Sequence, residues 1–328
     1  MIITQTPLRV SLFGGGTDFR EFFLKEGGAV LSLGIDKYVY VIVKERFDDG
    51  IYVNYSRKEI AGRVDDIQHD LVREALRKTG IEKGVEITTL ADVPSEGSGL
   101  GSSSSVTVGL LNACYAFQGE QVPLDRLARE ACEIEIDIVG KPIGVQDQYI
   151  AAYGNLRFIE FRKDGSVAVE KLAVPEERKR QLVSNLLLFY SGTTRPSACV
   201  LSEQRQNIPN RTEQLRRLSD FAYQARECLL SDTPLHVIGQ MLHRSWEEKK
   251  TLASNVTTPE LDALYARARR AGCLGGKVVG AGSGGFVLLY CPQDKQEQVR
   301  EALREFRELP MLTSRDGSKV IFNTRSYQ

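Results

Sequence analysis

Histidine is scarce in this chain: its 328 residues include only three, His69, His236 and His243. None stands at metal-ligand spacing from another, which argues against a structural zinc site. Six cysteines, at 114, 132, 199, 228, 273 and 291, contain no Cys-x-x-Cys pair. Several fall in apolar patterns, so reduced core thiols in a cytoplasmic protein are expected. The longest apolar stretch, near Leu186 to Tyr190, is far too short to cross a membrane. The opening Met1 to Pro7 has no basic region followed by an apolar run, so no secretory signal is expected. Neither charge sign is in excess, because Lys plus Arg and Asp plus Glu both total 43. Nucleic-acid binding rests on concentrated positive charge and is therefore not expected.

What is present fits an ordinary globular protein, with 42% apolar and 26% charged residues. The length exceeds that of a usual single core, which predicts two domains. Ile2 to Thr6 and Arg9 to Phe13 read as strands separated by Pro7, followed by a turn at Gly14-Gly15-Gly16. Tyr38 to Val43 is strongly β-prone, and Ile51 to Tyr55 alternates as a strand that would pair with it. Asp65 or Asp66 is placed to cap a helix carrying Ile67, Leu71 and Leu76. Val85 to Leu90 alternates as a strand. Helical spacing follows in Val106, Leu110, Cys114 and Phe117, and again from Pro123 to Ile138. Tyr153 to Phe161 returns to strand.

Beyond a turn at Lys163-Asp164-Gly165, Asn185 to Tyr190 reads as a buried strand, and two or three helices fill Ser197 to Leu252. Pro259 to Ala271 is a helix stopped by Gly272. Short strands at Val278 to Gly280 and Phe286 to Tyr290 flank a second glycine loop. A late helix carries Val299, Leu303 and Phe306, and Lys319 to Asn323 is the last strand. The expected class is α+β, in two domains spanning 1–175 and 176–328.

The most telling segment is Pro94-Ser95-Glu96-Gly97-Ser98-Gly99-Leu100-Gly101-Ser102-Ser103-Ser104-Ser105. Phosphate binding needs backbone N–H groups that can come close, hence residues without bulk, and it gains from a helix N-terminus. Gly97, Gly99 and Gly101 provide approach, and Ser102, Ser103, Ser104 and Ser105 provide hydroxyls on the first helical turn. The string is neither a Walker loop nor a dinucleotide fingerprint. A flexible linker or a plain helix start is the bland alternative, but linkers rarely sit directly between a strand and an amphipathic helix.

A second signal lies in the helix after Pro123. At 100° per residue, Leu124, Leu127, Ala128, Ala131 and Ile138 fall in one sector, and Glu135 falls in the middle of it. Glu133 and Asp137 point elsewhere. A carboxylate on a buried face is costly unless it is paired or bound to a metal. A buried ion pair with Arg or Lys and a metal site both remain open. Further on, Asp147 in Gly144-Val145-Gln146-Asp147-Gln148 reads by itself as a turn residue.

The glycine/serine string resembles the second motif of the GHMP kinases, the family of galactokinase, homoserine kinase and mevalonate kinase. Pro7 to Asp18, with its Gly14-Gly15-Gly16-Thr17-Asp18, resembles the first motif, and Lys277 to Phe286 resembles the third. The three span nearly the whole chain in the family's order. The resemblance implies a two-domain fold with the active-site cleft between an N-terminal nucleotide-binding domain and a ferredoxin-like C-terminal domain. It implies ATP on Gly97, Ser98, Gly99, Leu100, Gly101, Ser102, Ser103 and Ser104, and Mg²⁺ on Ser103 and Glu135. One Glu, one Ser, phosphates and water suit Mg²⁺.

By the same resemblance Asp147 would orient the acceptor hydroxyl and take its proton, beside Arg9. Gly15, Gly16, Thr17 and Asp18 would face a polyol, as would the turn at Gly282, Ser283 and Gly284. An N-cap role for Asp18, an edge-strand role for Arg9 and a mere β-turn at Gly282 are the bland alternatives. The combination of the first motif with Trp246-Glu247-Glu248-Lys249-Lys250 and Gly275-Gly276-Lys277 most resembles bacterial D-glycero-D-manno-heptose 7-phosphate kinases. Phe13 and Ser283 stand where those carry glycine. A sugar phosphate would need a cation, for which Arg195, Lys249 and Lys250 are candidates. The implied partner is a small-molecule sugar or sugar phosphate, with monomer and homodimer both compatible. Kinases of L-fucose, galactose or a non-sugar alcohol, and a non-catalytic sugar sensor, are the competing readings.

Overall fold

In the computed structural model, which describes residues 1–94, 97–193 and 197–324, the first half of the chain forms a branched sheet with helices against it. In chain order its elements are β1 (Ile2–Phe13), α1 (Arg20–Glu26), β2 (Gly28–Glu45), β3 (Ile51–Asn54), β4 (Lys58–Ala61), α2 (Asp70–Thr79), β5 (Val85–Ala91), α3 (Ser102–Phe117), α4 (Leu124–Cys132), α5 (Gln146–Tyr153), β6 (Leu156–Phe161) and β7 (Val167–Lys171). The long β2 pairs with β1 on one side. On the other it pairs with β6 through Gly28–Leu33 and with β5 through Val39–Glu45. Helix α3 lies across β1 and β2, with Val108, Leu110, Leu111 and Cys114 fully buried. Burying such side chains stabilises by about 1.5–3 kcal/mol each.

Several details differ from the sequence reading. Pro7 does not break β1. The register against β2 slips between Pro7 and Arg9, so the residue without an N–H sits at an irregularity. That slip leaves the Arg9 N–H free to donate to the Leu100 carbonyl at 3.0 Å, tying β1 to the glycine/serine loop. Ile51–Asn54 does not join β2; it pairs parallel with β5, which lies between them. Helix α2 is capped by His69, whose side chain accepts from the Val72 N–H, because a 3₁₀ turn takes up Val64–Asp66. Gln146 to Tyr153 is helix rather than loop and strand, closed by Gly154.

The second half runs α6 (Glu176–Ser184), β8 (Leu186–Tyr190), α7 (Ser197–Asn207), α8 (Thr212–Leu230), α9 (His236–Lys250), α10 (Pro259–Arg270), β9 (Gly275–Val278), β10 (Phe286–Tyr290), α11 (Gln296–Ala302), β11 (Arg307–Glu308) and β12 (Lys319–Asn323). Its antiparallel sheet has the order β11-β8-β10-β9. Two strand-helix-strand passages around the β9–β10 hairpin give the ferredoxin-like arrangement, with α7 to α10 all inserted in the first passage. Strand β9 starts and ends earlier than the sequence suggests, because residues 279–285 are drawn into the glycine loop. Strand β12 leaves this half and pairs with β1, Ile2 opposite Asn323. Helix α8 packs on β2, so one hydrophobic core continues from the first sheet into the second half. Among the described residues no helix is long and apolar enough to cross a membrane. Of the free cysteines, five are buried and Cys199 is exposed.

Candidate active site

Gly97, Gly99 and Gly101 all adopt left-handed backbone, with φ of 68°, 74° and 76°. Gly101 caps α3 without a side chain, which leaves the first N–H groups of a sixteen-residue helix open to an anion. Gly99 is required by space as well as by φ. A Cβ there would lie 2.6 Å from the Val279 carbonyl oxygen. The glycine loops of the second and third motifs therefore pack directly on each other, and Phe286 N–H donates to the Ser98 carbonyl at 3.3 Å. Leu100 is fully buried, so only its backbone faces the loop. Ser98 and Ser102 share a hydrogen bond of 3.2 Å between hydroxyls.

The serine run is more divided than expected. Ser105 donates to the Pro7 carbonyl at 2.8 Å and Ser104 to Glu135 Oε2 at 2.7 Å, so both turn inward. Ser103 is exposed and donates to Glu135 Oε1. Glu135 itself has no exposed surface. It sits in a π-helical turn, Glu133–Ile138, that continues α4. The wider turn shifts the phase assumed from a regular helix, which is why Ile138 is half exposed although it belongs to the apolar sector. Gln148 on α5 donates to Glu135 Oε2 at 2.7 Å. Lys141 places its ammonium 2.6 Å from Ser103 Oγ and 3.1 Å from Glu135 Oε1. Both alternatives left open for Glu135 thus meet here, because the carboxylate has a lysine partner and also adjoins Ser103. A cation stands where the two oxygens converge, and a carboxylate with a hydroxyl is a hard-oxygen set of the kind Mg²⁺ takes.

Across the loop, Arg9 meets Asp147 in a two-pronged pair, Nε to Oδ1 at 2.8 Å and Nη2 to Oδ2 at 2.6 Å, while Nη1 donates to the Gly99 carbonyl. Arg9 is buried and Asp147 partly exposed. Asp147 is in the first turn of α5. The side chain missing from Gly101 leaves room for the pair, since a Cβ there would lie 3.1 Å from Arg9 Cγ and 3.4 Å from Asp147 Oδ2.

One cavity contains Arg9 and Asp147 together with Ser11, Gly15, Gly16, Asp18, Gln146, Lys249, Gly280 and Ala281. Asp18 accepts from Gly16 N–H at 2.9 Å and Gln146 N–H at 3.3 Å. Burial, and then the neighbouring Asp147, push its carboxyl above the usual carboxylate range. Lys249, on α9, is buried and donates to the Gly280 carbonyl at 2.5 Å. Burial, and then repulsion from Arg9, bring its ammonium down to a pKa of about 8. Lys277 on β9 is also buried, 3.4 Å from the Leu12 carbonyl, and burial holds it well below the ordinary lysine value.

Some expected substrate residues lie elsewhere. Thr17 is fully buried, donates to the Gly14 and Ala29 carbonyls, and does not line the cavity. Gly282 and Ser283 pack on Val256, and Gly284 packs on Thr193, so the third motif faces the cavity through Gly280 and Ala281 instead. Lys250 pairs with Glu247 at 2.9 Å. Arg195 lies outside the described residues. Ser11, Gln146, Lys141 and Gln148 were not singled out from sequence. Their only signal was adjacency, with Ser11 two residues from Arg9, and Gln146 and Gln148 on either side of Asp147.

Comparison with known proteins gives the family and the fold. Residues 67–155 match the GHMP kinases N terminal domain, and residues 225–308 match the GHMP kinases C terminal domain. The chain is 30% identical to D-glycero-alpha-D-manno-heptose 7-phosphate kinase of Campylobacter jejuni, over 93% of both chains. It is 27% identical to a galactokinase of Pyrococcus furiosus, again over 93% of both. A crystal structure named as D-glycero-D-manno-heptose 1-phosphate kinase from Bacteriodes thetaiotaomicron superposes with a TM-score of 0.83 at 25% identity, covering 98% of this chain and 99% of that one. The two domain matches, together with a relative 30% identical over 93% of both chains, show that this chain belongs to the GHMP kinases, phosphotransferases that use ATP and an alcohol acceptor.

Proposed function

We propose that the chain is a sugar kinase that transfers the γ-phosphoryl group of ATP to the anomeric O1 of D-glycero-D-manno-heptose 7-phosphate, a step toward nucleotide-activated heptose. The observation that carries this reading is the cavity in which Asp147, held by Arg9, shares a wall with Asp18 and Gly15. The Campylobacter jejuni relative's name supports the choice of sugar. In this reading the acceptor hydroxyl lies against Asp147, which orients it and takes its proton as the bond to phosphorus forms. Arg9 holds the carboxylate in place and lends positive charge to the transferring group. Gly97 to Ser102 hold the phosphates through backbone N–H groups and the α3 N-terminus. Ser103 and Glu135 are the residues that would hold Mg²⁺, whose charge would offset that of the phosphates. Asp18 accepts a hydrogen bond from a sugar hydroxyl. The division at residues 175 and 176 belongs to the same proposal, with β12 returning to the first sheet.

The test is ADP release with ATP and one acceptor at a time: heptose 7-phosphate, the same heptose without phosphate, L-fucose, galactose and mevalonate. The reading expects stimulation by heptose 7-phosphate and at least about tenfold lower kcat/KM for the unphosphorylated sugar, as loss of a charged contact costs more than about 1.4 kcal/mol. Preference for mevalonate would overturn the sugar assignment. Turnover with none of the five would favour the sensor.

A further inference from the structure

The established features of the cavity leave three of its side chains unexplained. Ser11 and Gln146 are 4% and 8% exposed, yet Ser11 Oγ and Gln146 Oε1 have no hydrogen-bond partner in the protein. An unmatched buried polar atom costs roughly 1–3 kcal/mol, so two of them in one cavity point to a ligand that completes them. Lys249 uses one N–H on the Gly280 carbonyl, and no other acceptor is assigned to its ammonium among the described residues. The three side chains also converge. From the position where Gly15 would carry a Cβ, Ser11 Oγ is 3.5 Å away, Gln146 Nε2 3.7 Å and Lys249 Nζ 3.9 Å.

We propose that Ser11, Gln146 and Lys249 form a hydroxyl-reading subsite over Gly15, which takes a polyol edge bearing adjacent hydroxyls. The inference rests on the sugar-kinase reading of the cavity and adds the residues that select the acceptor. The chemistry matches in both directions. A sugar hydroxyl donates and accepts at once, and this set supplies acceptors in Ser11 Oγ and Gln146 Oε1, with donors in the Gln146 amide and the Lys249 ammonium. An acceptor with a methyl group at that point would leave the same atoms unmatched, and a site built on hydrogen bonds rejects such analogues strongly. Gly15 contributes space. A Cβ there would make ordinary contacts with the three groups, so alanine is compatible with the fold but fills the place of the ligand.

The charged groups facing Lys249 are Arg9 on β1, Asp18 after β1, Asp147 on α5 and Lys277 on β9. Arg9 and Lys277 repel its proton, and the two carboxylates hold it. The protonated form is the donor, so recognition of the acceptor weakens as pH rises past about 8.

The experiment compares wild type with Ser11→Ala, Gly15→Ala and Lys249→Met, at saturating ATP, using whichever sugar the wild type phosphorylates and its single-deoxy analogues. In Gly15→Ala and Lys249→Met the acceptor kcat/KM falls by about 30-fold or more, while the KM for ATP stays within about twofold. One deoxy analogue is penalised in wild type and loses that penalty in Ser11→Ala. The fall in acceptor kcat/KM above pH 8 disappears in Lys249→Met. Thermal melting of Gly15→Ala matches wild type, which separates a lost contact from a lost fold. Wild-type acceptor kinetics in all three variants would overturn the subsite while leaving the kinase reading intact. A wild type that accepts no sugar would overturn both, and would be recognised before any variant is made.

Discussion

Arg9 grips Asp147 through both carboxylate oxygens, at 2.8 and 2.6 Å, from a strand that also hydrogen-bonds the glycine/serine loop. Asp147, proposed to activate the acceptor, and the glycine/serine loop, proposed to hold the nucleotide, are therefore directly connected through Arg9. Asp147→Asn keeps the shape and one acceptor oxygen but removes the carboxylate proposed to take the proton. It should slow transfer by roughly 10²–10⁴-fold while nucleotide affinity, measured by calorimetry, stays within a few-fold. Unchanged turnover would remove Asp147 from the reaction.

The Lys141 ammonium lies against both Ser103 and Glu135, where a divalent cation would contact the same oxygens. Two substitutions should then act in opposite directions. Glu135→Gln removes the proposed anionic ligand and should raise the Mg²⁺ needed to half-saturate nucleotide binding by about tenfold or more. Lys141→Met removes a competing cation and should lower it by a few-fold, since the pair is partly exposed and worth about 1 kcal/mol. Titrating Mg²⁺ against the affinity for a fluorescent ATP analogue gives this without turnover. A rise in both variants would make Lys141 a support for Glu135 rather than a competitor.

Glu135 shows what could be read from the sequence. Its place on an apolar stripe marked it as unusual before any partner was known, because the cost of burying a carboxylate is a local fact. Most of the strands, helices α2 to α4 and α8 to α11, and the loop–helix junction at Gly101 are legible for the same reason, since periodicity and glycine act within a few residues, whereas α5 and α6 are not. The π-helical turn was not legible, since 100° spacing presumes a regular helix. Nor was the inward turn of Thr17, whose hydroxyl answers to carbonyls at Gly14 and Ala29. In the sequence Lys249 reads as a solvated helix charge or as a candidate ligand for the sugar's phosphate. Its position beside Asp18 and Asp147 depends on α9 folding back onto the first sheet, a contact between residues more than two hundred apart.

The packing of the two glycine loops makes a sharper prediction. Gly99→Ala places a Cβ 2.6 Å from a backbone oxygen of the third motif and forces alanine into left-handed backbone. The conformational part alone costs about 1–2 kcal/mol, and the clash with immobile backbone adds to it. Gly119 gives the control, since its φ is +84° with nothing within 4 Å of a Cβ. Gly119→Ala should lose only the conformational part and leave ATP binding untouched. Gly99→Ala should lose more stability in urea melts and raise the KM for ATP by about tenfold or more, a shift of about 1.4 kcal/mol. Equal behaviour of the two would show that the contact between loops does not shape the nucleotide site.

Lys249 links recognition to stability through pH. Its pKa of about 8 in the folded chain lies below the ordinary 10.5, chiefly through burial and then through Arg9. Below pH 8 the lysine is protonated in both states, and the folded state carries a cost of roughly 3 kcal/mol, at 1.36 kcal/mol per unit. Between about 8 and 10.5 the folded chain releases this proton first. The unfolded chain then binds more protons, and stability rises with pH from this group. Buried tyrosines such as Tyr115, raised to about 12, act in the opposite sense at higher pH. The contribution of Lys249 is therefore isolated by subtracting the stability of Lys249→Met from that of wild type. Urea unfolding should show Lys249→Met as the more stable protein near pH 7, by up to about 3 kcal/mol, with the gap closing toward pH 10. An offset that does not change with pH would mean that Lys249 does not titrate in this window. A variant that gains stability while losing acceptor affinity would identify a charge kept in the core for recognition rather than for folding.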